Sequence, residues 1–237
     1  MKNKKKLFVV SDIHGHYTLF KEALDKAGFD SENENHILVC LGDYFDRGTE
    51  NLEVLKFFER VENGVLLRGN HEDLLLKVFE RGQLLPHNYI NGTLSTLENF
   101  FGKYVVNPED DTIDFSGKTG TVNRVCEFIN NTVNYFETKN YVFVHGWLPE
   151  GDYKNAQNAQ WERARWVKWT NMYSGERPLE NKTVVCGHMP TFFANQIDKD
   201  RSEDNADIFY GKGLIAIDAG TNDTKQVNVL VLEDELI

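Results

Sequence analysis

Leu7-Phe8-Val9-Val10-Ser11-Asp12-Ile13-His14-Gly15 is the stretch that decides the fold. An uninterrupted apolar run reads as a strand covered on both faces, and it stops in a carboxylate, an imidazole and a glycine. The same arrangement returns at residues 37–41 before Gly42-Asp43 and at 65–67 before Arg68-Gly69-Asn70. It recurs at 141–144 before His145-Gly146, at 183–186 before Gly187-His188, and at 214–217 before Asp218-Ala219-Gly220. Helical periodicity over 17–27 and 51–61, with Leu55, Phe58 and Val61 on one face, separates the first three runs. Strand, helix, strand predicts βαβ crossovers and an α/β fold around a largely buried sheet. The closing run, 227–232, alternates less cleanly and is expected to be a late antiparallel strand.

The 237 residues amount to one large domain or one domain with an elaborated insert. A chain of this size buries enough surface to hold a core without disulfides or structural metal, so a bound metal is expected to do chemistry. Thirty-seven acidic against 26 basic residues give a net charge of −11, which repels phosphate backbones and anionic lipid. Dedicated nucleic-acid or membrane-surface binding is therefore not expected. Cys40, Cys126 and Cys186 form an odd set without paired spacing and read as reduced thiols of a cytoplasmic protein. The lysines of residues 2–6 precede an apolar run too short for a signal peptide, and no stretch is long enough to span a membrane.

Residues 73–140 depart from the strand pattern. They are helix-like over 74–81, then aromatic and polar, with a turn at Asn107-Pro108, and are expected to form a helical cap inserted in a single domain spanning 1–237. Residues 150–181 are irregular and rich in Trp, Asn and Gln, and residues 198–207 read as a charged, solvated loop. Phe100, Phe101, Trp161, Trp166 and Trp169 are expected mainly to pack. The sharper alternative is a wall for the ring of an aromatic phosphoester or an adenine.

In open α/β sheets, ligands gather outside the carboxyl ends of the strands. Those ends carry Asp12 and His14, Asp43, Asn70, His145 and His188. Carboxylate and amide oxygens with imidazole nitrogens suit Mn²⁺, Fe or Zn²⁺ better than a soft thiolate-loving ion. Taken singly, an Asp before a helix is usually a cap and a lone His after a strand is usually structural. Their recurrence at equivalent places is what points to chemistry. Asp218 ends the sixth run and is given no role.

Asp12-Ile13-His14-Gly15, Gly42-Asp43-Tyr44-Phe45-Asp46-Arg47-Gly48 and Arg68-Gly69-Asn70-His71-Glu72 resemble, in order and spacing, the three signature blocks of the PPP metallophosphoesterases. That family comprises the serine/threonine protein phosphatases and their bacterial relatives. His145-Gly146 and Gly187-His188 match its two later histidines. The resemblance implies a calcineurin-like fold, a β-sheet sandwich flanked by helices. It implies one divalent metal on Asp12, His14 and Asp43, and a second on Asp43, Asn70, His145 and His188, with Asp43 bridging and Mn²⁺ the first choice of ion. A shared water of lowered pKa would then attack phosphorus in line. Arg47 would clamp the phosphate, and His71, oriented by Asp46, would protonate the leaving oxygen. A second phosphate-binding arginine is implied within Trp161-Glu162-Arg163-Ala164-Arg165-Trp166, with Arg165 preferred over Arg163. Either could instead be a helix-surface arginine packed between indoles.

Two departures limit what the resemblance carries over. Trp147 stands where the eukaryotic enzymes usually have a second glycine, and Met189-Pro190 follows His188 as in the shorter bacterial members. The expected function is thus a bacterial-type serine/threonine, and also tyrosine, protein phosphatase acting on phosphorylated proteins or small phosphoesters. A dinucleoside polyphosphate hydrolase is the alternative. Asp46 tips the balance, because the symmetrical bacterial hydrolases commonly lack a carboxylate there.

Overall fold

The computed structural model describes residues 4–237, so Lys2 of the amino-terminal basic cluster lies outside the described residues. Two sheets stand face to face. The first has the order β3-β2-β1-β9, from Gly64–Leu66 (β3), His36–Cys40 (β2), Lys5–Val10 (β1) and Leu230–Asp234 (β9). β1, β2 and β3 run parallel and β9 antiparallel, as expected for the closing run. The second sheet has the order β4-β5-β6-β8-β7, from Tyr135–Glu137 (β4), Tyr141–Val144 (β5), Thr183–Cys186 (β6), Leu214–Ala216 (β8) and Phe209–Gly211 (β7). Its three central strands are parallel and its edges antiparallel. The edge strands β4 and β7 were not legible, since runs of three residues carry no measurable period.

Strand alternation explains why the runs are apolar throughout. Leu7, Val9, Val39 and Leu41 meet Phe143, Val185 and Ile215 between the sheets. Phe8, Val10, Leu38 and Cys40 point the other way into a helical layer, and Val142, Val144, Val184 and Cys186 point outward beneath the Trp-rich segment. Each strand is therefore covered twice, which requires apolar residues at consecutive positions.

The helical layer on the first sheet contains α1 (Tyr17–Ala27) and α2 (Asn51–Phe58), with α3 (Asn70–Arg81), α4 (Pro86–Asn91), α5 (Thr93–Phe101) and α6 (Thr119–Asn130) from the segment expected to be a cap. Leu75, Val78, Leu97, Val125 and Phe128 of that segment share one apolar cluster with Phe8 and Val10. It thus lies against the sheet's outer face. Helix α3 starts four residues before its first apolar position, Leu74, so the site residues Asn70 and His71 belong to its opening turn. Glu72 closes that turn by accepting from the Gly69 N–H at 2.8 Å. Short helices α7 (Asn158–Ala164) and α8 (Trp169–Met172) cover the second sheet, and α9 (Thr221–Thr224) follows β8. Among the described residues no helix is long and apolar enough to cross a membrane. Cys40 and Cys186 are buried, Cys126 is half-buried, and all three are free thiols.

Candidate metal centre

Parallel register brings the loops after β1, β2, β3, β5 and β6 to one end of the sandwich. Val10 pairs with Cys40, Cys40 with Leu66, and Phe143 with Val185, so these strands finish side by side. The Asp12 N–H donates to the Gly42 carbonyl at 3.1 Å and the His14 N–H to the Asp43 carbonyl at 3.0 Å, zipping the first two loops together. The two sheets are tied by the His188 N–H, which donates to Asp12 Oδ2 at 2.9 Å. Gly69 and Gly187 permit the closest approaches: a Cβ on Gly69 would overlap Asp43 Oδ1, and one on Gly187 would overlap Ser11 Oγ.

Three imidazoles surround one carboxylate oxygen. Asp43 Oδ2 lies 3.7 Å from His14 Nε2, 3.8 Å from His71 Nε2 and 3.5 Å from His145 Nε2. Separations of this kind are too long for good hydrogen bonds. Two ligands about 2.1 Å from a common cation at tetrahedral angles are about 3.4 Å apart, and the His145 and His14 separations are close to that, so these two donors with Asp43 fit a divalent ion. Donor atoms of His14, Asp43 and His71 lie within 4.8 Å of one another, as do those of Asp43, His145 and His188. Asp43 belongs to both groups. Asn70 Oδ1 is 2.8 Å from His145 Nε2, which places it at the second group; Asp12 is in neither group and is tied to the His188 loop by the main-chain bond.

The surroundings sort these imidazoles. His14 Nδ1 is 2.8 Å from the Phe45 carbonyl and His145 Nδ1 is 3.0 Å from the Leu41 carbonyl, so each ring is anchored there and turns its Nε2 toward Asp43, that of His145 lying against Asn70 Oδ1 as well. Burial, reinforced by the charges of His71 and Arg47, holds His14 well below the usual histidine range. Burial with the neighbouring His145 pushes His188 down to about 3. Both are neutral near pH 7, as a ligand must be. His71 behaves oppositely. Burial opposes its charge, but Asp43 and a 2.7 Å bond to Asp46 Oδ2 outweigh it and raise the ring to about 9. A protonated ring cannot ligate a metal but can donate a proton.

Asp46 is itself held. It accepts from Thr96 Oγ1 at 2.8 Å and Thr93 Oγ1 at 3.1 Å, and its main-chain N–H donates to Thr96 Oγ1 at 2.9 Å. Nothing local to the Asp46 loop signals those threonines, which lie nearly 50 positions away. Glu72, which ends the third block, is a structural residue. Fully buried, it accepts from the N–H groups of Asp43, Tyr44 and Gly69, stapling the second loop to the third. Burial and the charge of Asp43 push its pKa up to about 8 against those bonds. Asp218, buried at the end of β8, accepts from the Gly220 N–H at 2.7 Å and is pushed well up by burial and by Asp12.

Backbone strain marks the same residues. Nine described non-glycine residues have positive φ, and apart from Tyr104, Asp111 and Lys225 they are Asp12, His14, Asp43, Asp46, Arg47 and His188. Left-handed backbone costs on the order of 1–3 kcal/mol per such residue and concentrates where function needs a side chain aimed. Arg47 is exposed at the rim, and its charge reaches both His14 and His71.

The two arginines of the Trp-rich segment differ in exposure. Arg165 is buried, with Nε donating to Asp73 at 2.7 Å and Nη1 to Asn134 Oδ1 at 2.8 Å. Arg163 is exposed and lines a pocket of about 300 Å³ with Trp147, Leu148, Val167 and Met172. Neither makes a hydrogen bond or ion pair to Asp43 or the four imidazoles.

Residues 5–217 match the model of the calcineurin-like phosphoesterases. The chain belongs to that family. Serine/threonine-protein phosphatase 2 of Escherichia coli is 26% identical over 208 residues, spanning 84% of this chain and 88% of that protein. The symmetrical bis(5'-nucleosyl)-tetraphosphatase of Wigglesworthia glossinidia brevipalpis is 33% identical, but over 31% of this chain and 27% of its own. A protein serine/threonine phosphatase from Saccharomyces cerevisiae has the same fold, with a TM-score of 0.53, 15% identity, and coverage of 99% of this chain and 81% of that one. The two-sheet architecture of this phosphoesterase is thus the family's, and its members act with divalent metal.

Proposed function

We propose that this phosphoesterase is a protein phosphatase of the bacterial serine/threonine type, acting on phosphomonoesters with two divalent cations, Mn²⁺ first among the fitting ions. One cation would rest on Asp12, His14 and Asp43, the other on Asp43, Asn70, His145 and His188. When bound, they supply Lewis-acid charge and a water nucleophile usable near neutral pH. Arg47 binds the equatorial phosphate oxygens from the rim. His71 holds the proton at Nε2 and gives it to the ester oxygen as the P–O bond breaks, while Asp46 keeps Nδ1 bonded and the ring charged. Products are the free hydroxyl and phosphate, and no side chain becomes phosphorylated.

The observation that carries this reading is the His71–Asp46 pair at 2.7 Å, a charged acid beside the Asp43 cluster. Alkoxide leaving groups of serine and threonine need such an acid. The extent of likeness supports the same reading: the phosphatase relative matches 84% of the chain, against 31–40% for the tetraphosphatases. Those tetraphosphatases nevertheless support a second reading, hydrolysis of a dinucleoside polyphosphate. Steady-state comparison of a phosphoserine peptide, a phosphotyrosine peptide and diadenosine tetraphosphate with the Mn²⁺-loaded protein separates the two. The peptides are expected to have the higher kcat/KM, and a value for the dinucleotide far above both overturns the proposal. Free buried thiols and a charge of −11 fit a cytoplasmic protein without nucleic-acid or membrane partners.

A further inference from the structure

The aromatic residues of the middle segments fall into two classes once their surroundings are known. Trp161 is buried and stacks on Tyr135 at 5.3 Å. Trp169 is fully buried, stacks on Phe209, and donates its indole N–H to the Met189 carbonyl at 2.8 Å. Phe100 and Phe101 pack into the helical layer of the first sheet. Trp166 differs from all four. It is 45% exposed, and its ring stands at 83° to that of His188 with centroids 6.1 Å apart. Trp166 is the one of these five rings that is both exposed and beside a metal-ligand candidate.

We propose that Trp166 is a specificity-determining residue whose exposed ring receives the aromatic ring of an aryl phosphomonoester, the chemistry of phosphotyrosine, while the phosphate lies against His188. This rests on the phosphomonoesterase reading above. Proximity selects the ligand class. An aryl ring is joined to phosphorus through a single oxygen, so it lies next to the phosphate, where Trp166 stands. The adenine of a nucleotide is held off by a ribose and passes beyond the wall. The wall is also preorganised. Its neighbour Arg165 is clamped to Asp73 and Asn134, and the Trp166 N–H donates to the Arg163 carbonyl at 3.1 Å. With the backbone held, only two side-chain torsions need ordering when a ring stacks.

The test uses Mn²⁺-loaded full-length protein and non-hydrolysable probes, so that binding is read without turnover. Calorimetric Kd values for phenylphosphonate and ethylphosphonate are expected to favour the aryl probe about 3- to 10-fold, the size of one aromatic pair. Trp166→Ala is expected to bring that ratio close to 1, and Trp166→Phe to keep most of it. A ratio unchanged in Trp166→Ala overturns the proposal. So does an equal loss for both probes, which would make Trp166 a support for His188, and so does a loss confined to a third non-hydrolysable probe, the 5'-phosphonate analogue of AMP, which would make it an adenine wall. Turnover of phosphopeptides by the wild-type protein tests the underlying reading separately. Failure there leaves the calorimetric ratio readable.

Discussion

The loops of the first sheet and those of the second build the centre by different means. The first sheet contributes Asp12, His14, Asp43, Asp46, Arg47, Asn70 and His71 from three short loops, five of them at positive φ and most of them buried. Those loops are bonded to one another through Glu72 and the Asp12 and His14 N–H groups. The second sheet contributes two imidazoles, His145 and His188, with the exposed ring of Trp166 beside His188. Buried carboxylates and the His71–Asp46 pair thus sit on one side, and the exposed Trp166 ring on the other. Chemistry demands positions held to fractions of an ångström, so it falls where loops are shortest and most bonded. Substrate choice requires exposed area, which the proposed role of Trp166 would draw from the irregular segment.

Substitutions should break this division in graded steps. Asp43→Asn removes the carboxylate common to both ligand groups. Bound metal, measured by mass spectrometry, is expected to drop, and kcat/KM to fall at least about 10³-fold, the equivalent of several kcal/mol of charge stabilisation. Next, His71→Asn is expected to cost about 10²–10⁴-fold on a phosphoserine peptide and far less on p-nitrophenyl phosphate, whose leaving group hardly needs a proton. Equal losses on both would remove His71 from the acid role. Arg165→Ala leaves Asp73 buried with only the distant Arg68 at 3.7 Å, and should destabilise the protein by about 3 kcal/mol in denaturant unfolding. If phosphate affinity fell instead with stability intact, Arg165 would be a substrate clamp after all.

A smaller change tests the proton donor's surroundings. Asp46→Asn is expected to lower kcat/KM about 10- to 100-fold, as loss of an orienting partner does. It should also change the pH dependence of stability in the metal-stripped protein. His71 is raised to about 9, above its unfolded value near 6.5, so its stabilisation is complete below about pH 6.5 and is lost as pH rises through 9. That alkaline decline should shrink in Asp46→Asn, and an unchanged profile would show that the ring is not held charged by Asp46. The smallest effect belongs to Lys77 and Glu162, an exposed pair joining α3 to α7. Lys77→Ala should shift stability by less than about 1 kcal/mol, and less still at high salt.

Most of the cluster is legible in the sequence, because its candidate ligands stand directly after apolar runs. In parallel strands such positions converge whatever the intervening sequence does. The three blocks from residue 12 to 72 therefore read cleanly, as did the crossover helices and the antiparallel final strand. What escaped was the support around them. Thr93 and Thr96 carry no local mark of binding Asp46, and Glu72 looks like any helix-opening acid until its three N–H partners appear. The segment at 73–140 reads as a cap by composition, yet its apolar residues join the cluster under the first sheet. Which face a helix covers is set by tertiary packing, not by its own period.

The sequence by itself determined the chemical set: which side chains end the strands, that they mix carboxylate, amide and imidazole, and that the fold is an α/β one able to gather them. Only the tertiary structure decided the division of labour within that set. The carbonyls of Phe45 and Leu41 orient His14 and His145, whereas Asp43 and Asp46 hold His71 charged. Arg165 turned inward and Trp166 outward although they are adjacent in the chain, because one found a buried carboxylate and the other found none. Residue type follows from sequence, but protonation, tautomer and exposure are set by neighbours that approach only when the chain folds.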